Sequence, residues 1–233
     1  RPLTVACGWP AASSYAIHAL DLSRPLDRVF AGFHASSTRR AIRRAEREAL
    51  SYESGRSDAL IATFFGLLRL TRRRHGVPPQ PIAWFRALAH RCADAFTVHV
   101  ARKAGRAIAA IVTLRFARTL VYKYGGSDAR DHALGGMPFL FWRVIQQAHA
   151  DGIETLDLGR SNFDQPGLIA FKNHLGAEQK VLTYHRIPGT GHRAPGTVTK
   201  DASLLARAAR ATLVRLPDPL FDMSGRVLYR HLG

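Results

Sequence analysis

The chain has 233 residues, 46% of them hydrophobic and 22% charged, a balance that supports a real core and excludes wholesale disorder. Its 34 basic side chains against 17 acidic ones leave a formal charge of +17, which permits polyanionic partners; yet nearly all the basic residues are arginine beside many alanines, the skew of a GC-rich genome, so charge alone names no function. Only Cys7 and Cys92 are present and the longest apolar runs reach about half the ~20 residues of a membrane span, which excludes a disulfide scaffold, a cysteine-rich zinc module and a transmembrane helix, and fits a reducing compartment.

Residues 1–7 (RPLTVAC) read as ordinary chain and not as a lipoprotein box, because Thr4 stands where an aliphatic residue is needed and Pro2, Gly8 and Pro10 interrupt the apolar stretch. The opening on Arg leaves room for a preceding portion. Alternation over residues 14–22 predicts a strand that Pro25 ends. Ser36 or Ser37 then caps an amphipathic basic helix, with Arg39, Arg40, Arg43, Arg44 and Arg47 on one side and Ala41, Ile42, Ala45 and Ala49 on the other. A second helix spans residues 58–75, its cations in the last turn and Gly76 at its C-terminus. A third follows Pro81 to about Cys92.

Runs 96–102, 106–116 and 119–124, separated by gaps of hairpin length, predict an antiparallel meander. Residues 125–137 read as a loop, Pro138 opens a helix ending near Gly152, 154–158 is a short strand, 167–175 a short helix and 180–187 a final strand. This order predicts a mixed-sheet α/β fold. Residues 188–200 read as a linker and 204–215 as an arginine-bearing helix.

The glycines of the 125–137 segment, between a strand and a helix start, make a natural phosphate site, although neither a Walker loop nor GxGxxG is present. A simple glycine-rich turn is the competing reading. The 11 histidines are dispersed, with no HxH or HxxxH pair, so no metal site is expected and each histidine reads as a surface or core residue. No GxSxG elbow supports a serine hydrolase. Lys172, one of five lysines, follows Phe171 on the short helix and reads equally as a snorkelling surface residue or a functional one.

Six segments in order, STRRAIRRAERE, TRRRHGVPPQP, YKYGGSD, DLGRS, GLIAFKNHLGAE and VLYRHLG, resemble the FemAB-like branch of the GNAT acyltransferases, including those of bacterial exopolysaccharide and exosortase gene neighbourhoods. The resemblance implies a GNAT-like acyl-CoA N-acyltransferase fold whose fourth and fifth strands, here 119–124 and 154–158, part to admit an acyl donor. It divides the chain into a partial first domain or junction (1–50), a GNAT-like domain (51–190) and a linker with a helical extension (191–233). The usual pyrophosphate signature is degenerate, since Leu134-Gly135-Gly136-Met137 lacks a leading Gln or Arg.

The implied chemistry is attack by an amine on an activated acyl group. The family's Phe-Lys lysine maps to Lys172, which stabilises developing charge or a donor phosphate; Tyr124 is a candidate proton donor to the leaving group and Arg160 an anion-binding group. Tyr122, Gly125, Gly126, Ser127, Gly135, Gly136 and Met137 are candidate donor contacts, and Asp157, Ser161, Arg73 and His75 candidate acceptor contacts. The expected co-substrate is acetyl-CoA or another acyl-CoA without metal, the acceptor a small-molecule, glycan or peptide amine, and the location the cytoplasm or the inner membrane face. Two alternatives are an aminoacyl-tRNA-dependent transferase on a peptidoglycan precursor, favoured by the basic helix and the arginines before Gly76, and a non-catalytic GNAT-like module that binds a partner or an anionic membrane.

Overall fold

The computed structural model describes residues 11–185 and 211–230. Cys7, residues 1–7 and the linker 188–200 lie outside them; of the helix expected over 204–215 only 211–215 are described, and these are helical. In chain order the elements are β1 (Ala11–Asp21), α1 (Leu26–Ala31), a π-helical turn (Ala35–Arg39), α2 (Arg40–Arg47), β2 (Ser51–Gly55), α3 (Asp58–Arg74), α4 (Ile82–Cys92), β3 (Phe96–Lys103), β4 (Arg106–Phe116), β5 (Thr119–Ser127), a 3-10 turn (Ala129–Leu134), α5 (Gly136–Ala150), β6 (Thr155–Ser161), α6 (Pro166–His174), β7 (Glu178–His185) and α7 (Asp218–Arg230).

The seven strands of the described residues form one sheet in the order β2-β3-β4-β5-β6-β1-β7, antiparallel throughout except for β5 beside β6. The sheet does not break at residue 50: β1 inserts between β6 and β7. Helices cover both faces. On one, α1, α2 and α5 bury Val29, Ile42, Ala45, Leu140, Phe141 and Ile145, with Phe33 of the turn after α1, against β4 and β6; on the other, α3 and α4 bury Leu60, Phe64, Leu68 and Phe85 against β3 and β4. β4, enclosed on both sides, is accordingly apolar from Ile108 through Val112 without alternation.

Several elements differ from expectation for identifiable reasons. Neither serine caps the basic helix; the Ser37 hydroxyl instead bonds the Nδ1 atoms of His34 (3.0 Å) and His174 (3.1 Å), whose rings stack at 4.2 Å, and the chain enters α2 through the π-turn. Ile42 and Ala45 are buried as the helical wheel requires, but Ala49 lies past the helix end at φ 51 and is exposed. The edge strand β2 (SYESG) has too little apolar alternation to be recognised, and is held by its ladder to β3. Ser57 caps α3 by accepting from the Leu60 N–H. His99 is a core histidine, bonded to Tyr52 Oη and Thr113 Oγ1, each at 2.8 Å; burial pulls its pKa down to about 3, so it is neutral.

Candidate active site

The site begins where β5 and β6 separate. They pair in parallel only through residues 119–121 and 155–157, and just beyond that point both strands bulge. Val112 pairs with Tyr124 and Thr113 with Tyr122, leaving Lys123 as the extra residue of β5. His18 pairs with Gly159 and Ala19 with Asp157, leaving Leu158 as the extra residue of β6. Bulges bend a strand and sharpen its twist, so two at one level drive the strands apart. Asp157 fixes the second: its Oδ1 accepts the Gly159 N–H at 2.7 Å, and Gly159 takes φ +69, a conformation that favours glycine.

Residues two apart on a regular strand share a face. The bulge at Lys123 breaks that rule. Tyr122 lies on the α5 face, edge-on to Phe141 at 5.0 Å, and Phe141 in turn meets Phe171 of α6 at 5.5 Å. Tyr124 lies on the opposite face, edge-on to Phe85 at 5.1 Å, its hydroxyl accepting from the Trp84 indole N–H at 3.1 Å. Each tyrosine lines its own cavity. One, of about 340 Å³, is walled by Ile108, Tyr122, Ser127, Gly136, Met137 and Phe171 among others. The other, of about 440 Å³, is walled by Gln80, Trp84, Tyr124, Arg226, Tyr229 and Arg230 with Pro81 and Ala83. Tyr124 therefore lines the second cavity and not the one that holds Tyr122.

The segment read as a glycine-rich loop is the end of β5 followed by a 3-10 turn. Gly125 and Gly126 pair with Ile111 and Ala110, so they are strand residues and not part of a loop, and both glycines have steric reasons. A Cβ on Gly125 would strike the Tyr122 hydroxyl, and one on Gly126 the backbone of α3 at Leu67 and Leu68. Gly135 (φ +76) precedes α5 and lies against the Ala41 carbonyl of α2. Gly136 and Met137 do line the first cavity. Among the described residues their N–H groups have no hydrogen-bond partner, which leaves the positive end of α5 open to an anion.

Of the polar mouth of this cavity, sequence reasoning named Ser127 and passed over Asp128, Asp131 and His132. Ser127 Oγ and His132 Nε2 are 2.9 Å apart, while Asp131 is held by Arg106. The Arg130 guanidinium on Asp128 holds that carboxyl down to about 2. Burial pushes the Tyr122 phenol up to about 12, so it keeps its proton.

Lys172 is not a snorkelling residue: it is 2% exposed. Its Nζ donates to the carbonyls of Gly159 (2.9 Å) and Arg160 (3.4 Å), both beyond the last β6 residue that pairs with β5. An ammonium has three protons, so one remains. Burial brings its pKa down to about 8, the Asp157 carboxylate opposing the fall. His18 of β1, also buried, has its pKa lowered by desolvation and by the Lys172 charge; its Nε2 meets Asn173 Oδ1 at 3.1 Å. Ser161 Oγ is buried with no partner among the described residues. Arg160 is engaged elsewhere: its guanidinium stacks on Tyr15 (4.6 Å) and Tyr184 (5.6 Å) and donates to Tyr184 Oη at 3.0 Å.

Arg73 binds the protein's own C-terminal segment. It donates to the carbonyls of Val214 (2.8 Å) and Leu216 (2.5 Å), pairs with Asp218 at 2.7 Å, and stacks on the buried Phe221 ring at 4.5 Å. His75 caps the end of α3, exposed and away from both cavities, its pKa lowered by partial burial and by Arg74 and Arg72. Arg73→Ala removes charge-assisted bonds worth about 2 kcal/mol to the docking of α7. Limited proteolysis is expected to cut the variant before residue 218 several times faster than the parent, at an unchanged rate elsewhere.

The Acetyltransferase (GNAT) domain family model matches residues 33–173, from the α1–α2 corner through Lys172. The UDP-N-acetylmuramoylpentapeptide-lysine N(6)-alanyltransferase of Weissella viridescens is 29% identical over 177 residues, covering 70% of this chain and 52% of its own length; the chain thus spans about half of that curated relative. In fold, the crystal structure of FemX matches with a TM-score of 0.62 at 13% identity, over 73% of this chain and 61% of that one. L-PGS from Bacillus licheniformis matches at 0.52 and 12% identity, over 83% and 64%. A mixed sheet parted between β5 and β6, together with a family match over more than half its length, means that this chain belongs to the acetyltransferase (GNAT) domain family and has a Fem-type homologue.

Proposed function

We propose that the protein is an N-acyltransferase that moves an acyl group from acyl-CoA, through the gap between β5 and β6, to an amine acceptor of cell-envelope or exopolysaccharide metabolism at the cytoplasmic side of the membrane. The observation that carries this is the pair of cavities on opposite faces of one bulged strand, Tyr122 in one and Tyr124 in the other. A two-substrate transfer needs such an arrangement, because donor and acceptor must meet at one point without competing for one pocket.

The cavity at the N-terminus of α5 takes the donor, its phosphates against the Gly136 and Met137 N–H groups. The acceptor amine, in its neutral form, attacks the thioester carbonyl from the Tyr124 side. An N–C bond forms, the C–S bond breaks, the nitrogen gives up a proton and the CoA thiolate takes one. The buried Lys172 ammonium lowers the cost of the negative charge that develops on the carbonyl oxygen or thiolate. Asp157 acts indirectly, holding the bulge that opens the gap.

A second reading, an aminoacyl-tRNA donor, is favoured by one feature. Arg40, Arg43, Arg44 and Arg47 are exposed on α2 with no ion pair among the described residues, and Ala41 of the same helix lies against Gly135, the residue before Gly136 of the donor cavity. Calorimetric titration separates the two. Acetyl-CoA is expected to bind at micromolar concentration, with a modest salt dependence set by a few phosphates, whereas a tRNA donor loses affinity steeply between about 50 and 200 mM salt. Absence of acetyl-CoA binding together with steep, α2-dependent tRNA binding would replace the first reading by the second. No helix of the described residues is long and apolar enough to cross a membrane, and contact with an anionic membrane surface would be peripheral.

A further inference from the structure

The cavity on the Tyr124 face owes one wall to α7, which lies outside the residues that match the family model. This helix is seated firmly. Phe221 is fully buried, and Gly225, one turn on, approaches the Pro79 carbonyl so closely that a Cβ would collide with it. Arg69 and Arg73 anchor the start of the helix through Asp218, and Arg69 also reaches Asp222. That seating turns Arg226 and Arg230, four residues apart and so on one side of a helix, into the cavity wall together with Tyr229.

The chemistry of this wall is specific. Among the described residues no carboxylate lines the cavity, and neither Arg226 nor Arg230 has an ion-pair partner. Two guanidinium groups one turn apart repel each other until an anion lies between them. Opposite stand the rings of Trp84, 48% exposed, and Tyr124, apolar faces suited to the C–H face of a pyranose, with the Tyr124 and Tyr229 hydroxyls and Gln80 as hydrogen-bonding partners at their edges. A volume of about 440 Å³ suits a ligand of one or two sugar rings. Nucleobases also stack, but their amines are conjugated and poor nucleophiles; an acceptor must bring an aliphatic amine.

We infer that this cavity binds an amino sugar carrying an anionic group, a phosphate or a uronate carboxylate, with Arg226 and Arg230 on the anion and Trp84 and Tyr124 on the ring. The inference rests on the transferase reading and names the acceptor class for its second cavity. Glucosamine 6-phosphate, glucosamine, galacturonate, inorganic phosphate and a Glu-Lys dipeptide would be titrated into the full chain calorimetrically, with acetyl-CoA titrated in parallel. The sugar phosphate is expected to bind at least about tenfold tighter than glucosamine, phosphate or dipeptide, because only it engages both walls; galacturonate matching it would assign the anion to a carboxylate.

Trp84→Ala and the double variant Arg226→Gln/Arg230→Gln are each expected to lose about tenfold or more for the sugar anion while acetyl-CoA binds as before. The double variant changes only exposed side chains and so guards against a folding defect at Trp84. Sugar-anion binding no tighter than phosphate alone, tighter binding of the dipeptide, or indifference to both variants would overturn the inference. If acetyl-CoA still binds in that case, the transferase reading stands and only the acceptor class falls; if neither ligand binds, both fall.

Discussion

Lys172→Met is expected to lower turnover by about 100-fold or more while the protein stays folded and acetyl-CoA still binds. Methionine has nearly the volume of the lysine stem and removes a buried ammonium, so the lost bonds to the Gly159 and Arg160 carbonyls are offset by relief of desolvation and the net stability change stays within about 1 kcal/mol. The pH profile distinguishes chemistry from scaffolding. With its pKa brought down to about 8 by burial, Lys172 in the parent enzyme loses its charge as pH rises through about 8, while the acceptor amine becomes more nucleophilic over the same range. Their opposition gives a rate that climbs and then falls.

The variant, having no charge to lose, is expected to keep the rising limb and lack the falling one. In stability the sign is separate: a lysine whose folded pKa lies below its unfolded value of about 10.5 releases its proton first in the folded state, so the parent gains stability between about pH 8 and 10.5. The variant shows no such gain. Thioester-cleavage rates against pH, beside thermal melts over the same range, test both. A variant that turns over within a factor of two or three of the parent would remove Lys172 from the mechanism.

Much of this site was legible in the residue order, for a physical reason. The meander, the helix that follows it and the strand after that helix are local patterns of apolar period and turn chemistry, and these placed the two strands within a few residues of β5 and β6; that the two part was implied by the family resemblance and not by the pattern. What stayed hidden depends on register between strands or on distant partners. VYKY reads as the plain end of a strand; only its pairing with β4 reveals that Lys123 bulges out and sends Tyr122 and Tyr124 to opposite faces. Arg73 and Arg160 looked like free cations because their partners, Asp218 and the Tyr15–Tyr184 pair, are about 145 residues away or on other strands. Nothing near Arg226 or Arg230 announces a cavity, since its aromatic wall comes from α4 and β5.

The glycines taught the sharpest lesson, and two of them carry the second large prediction. In the residue order Gly126 reads as a phosphate contact, yet a Cβ there would lie 2.6 Å from the Leu67 carbonyl carbon and 2.7 Å from Leu68 Cα. Both atoms are backbone, so no rotamer relieves the contact and α3 must withdraw from β5. Withdrawal is resisted at once by Thr71, one turn along α3, whose Oγ1 accepts the Ser127 N–H at 2.9 Å and donates to the Ser127 carbonyl at 3.2 Å, and by Leu67 and Leu68, both buried in the core that α3 shares with β3 and β4. Gly126→Ala is therefore expected to cost about 3 kcal/mol, at the upper end of overpacking, and to lower the melting temperature by about 6–12 °C in a chain of this size. At Gly66, inside the same helix, a Cβ would meet no atom within 4 Å, so Gly66→Ala is expected to raise stability by up to about 1 kcal/mol through helix propensity alone. Opposite signs from the same substitution on α3 and on the strand it covers would establish that Gly126 is present for the close approach of backbone; a Gly126→Ala variant that melts like the parent would return that glycine to the donor site.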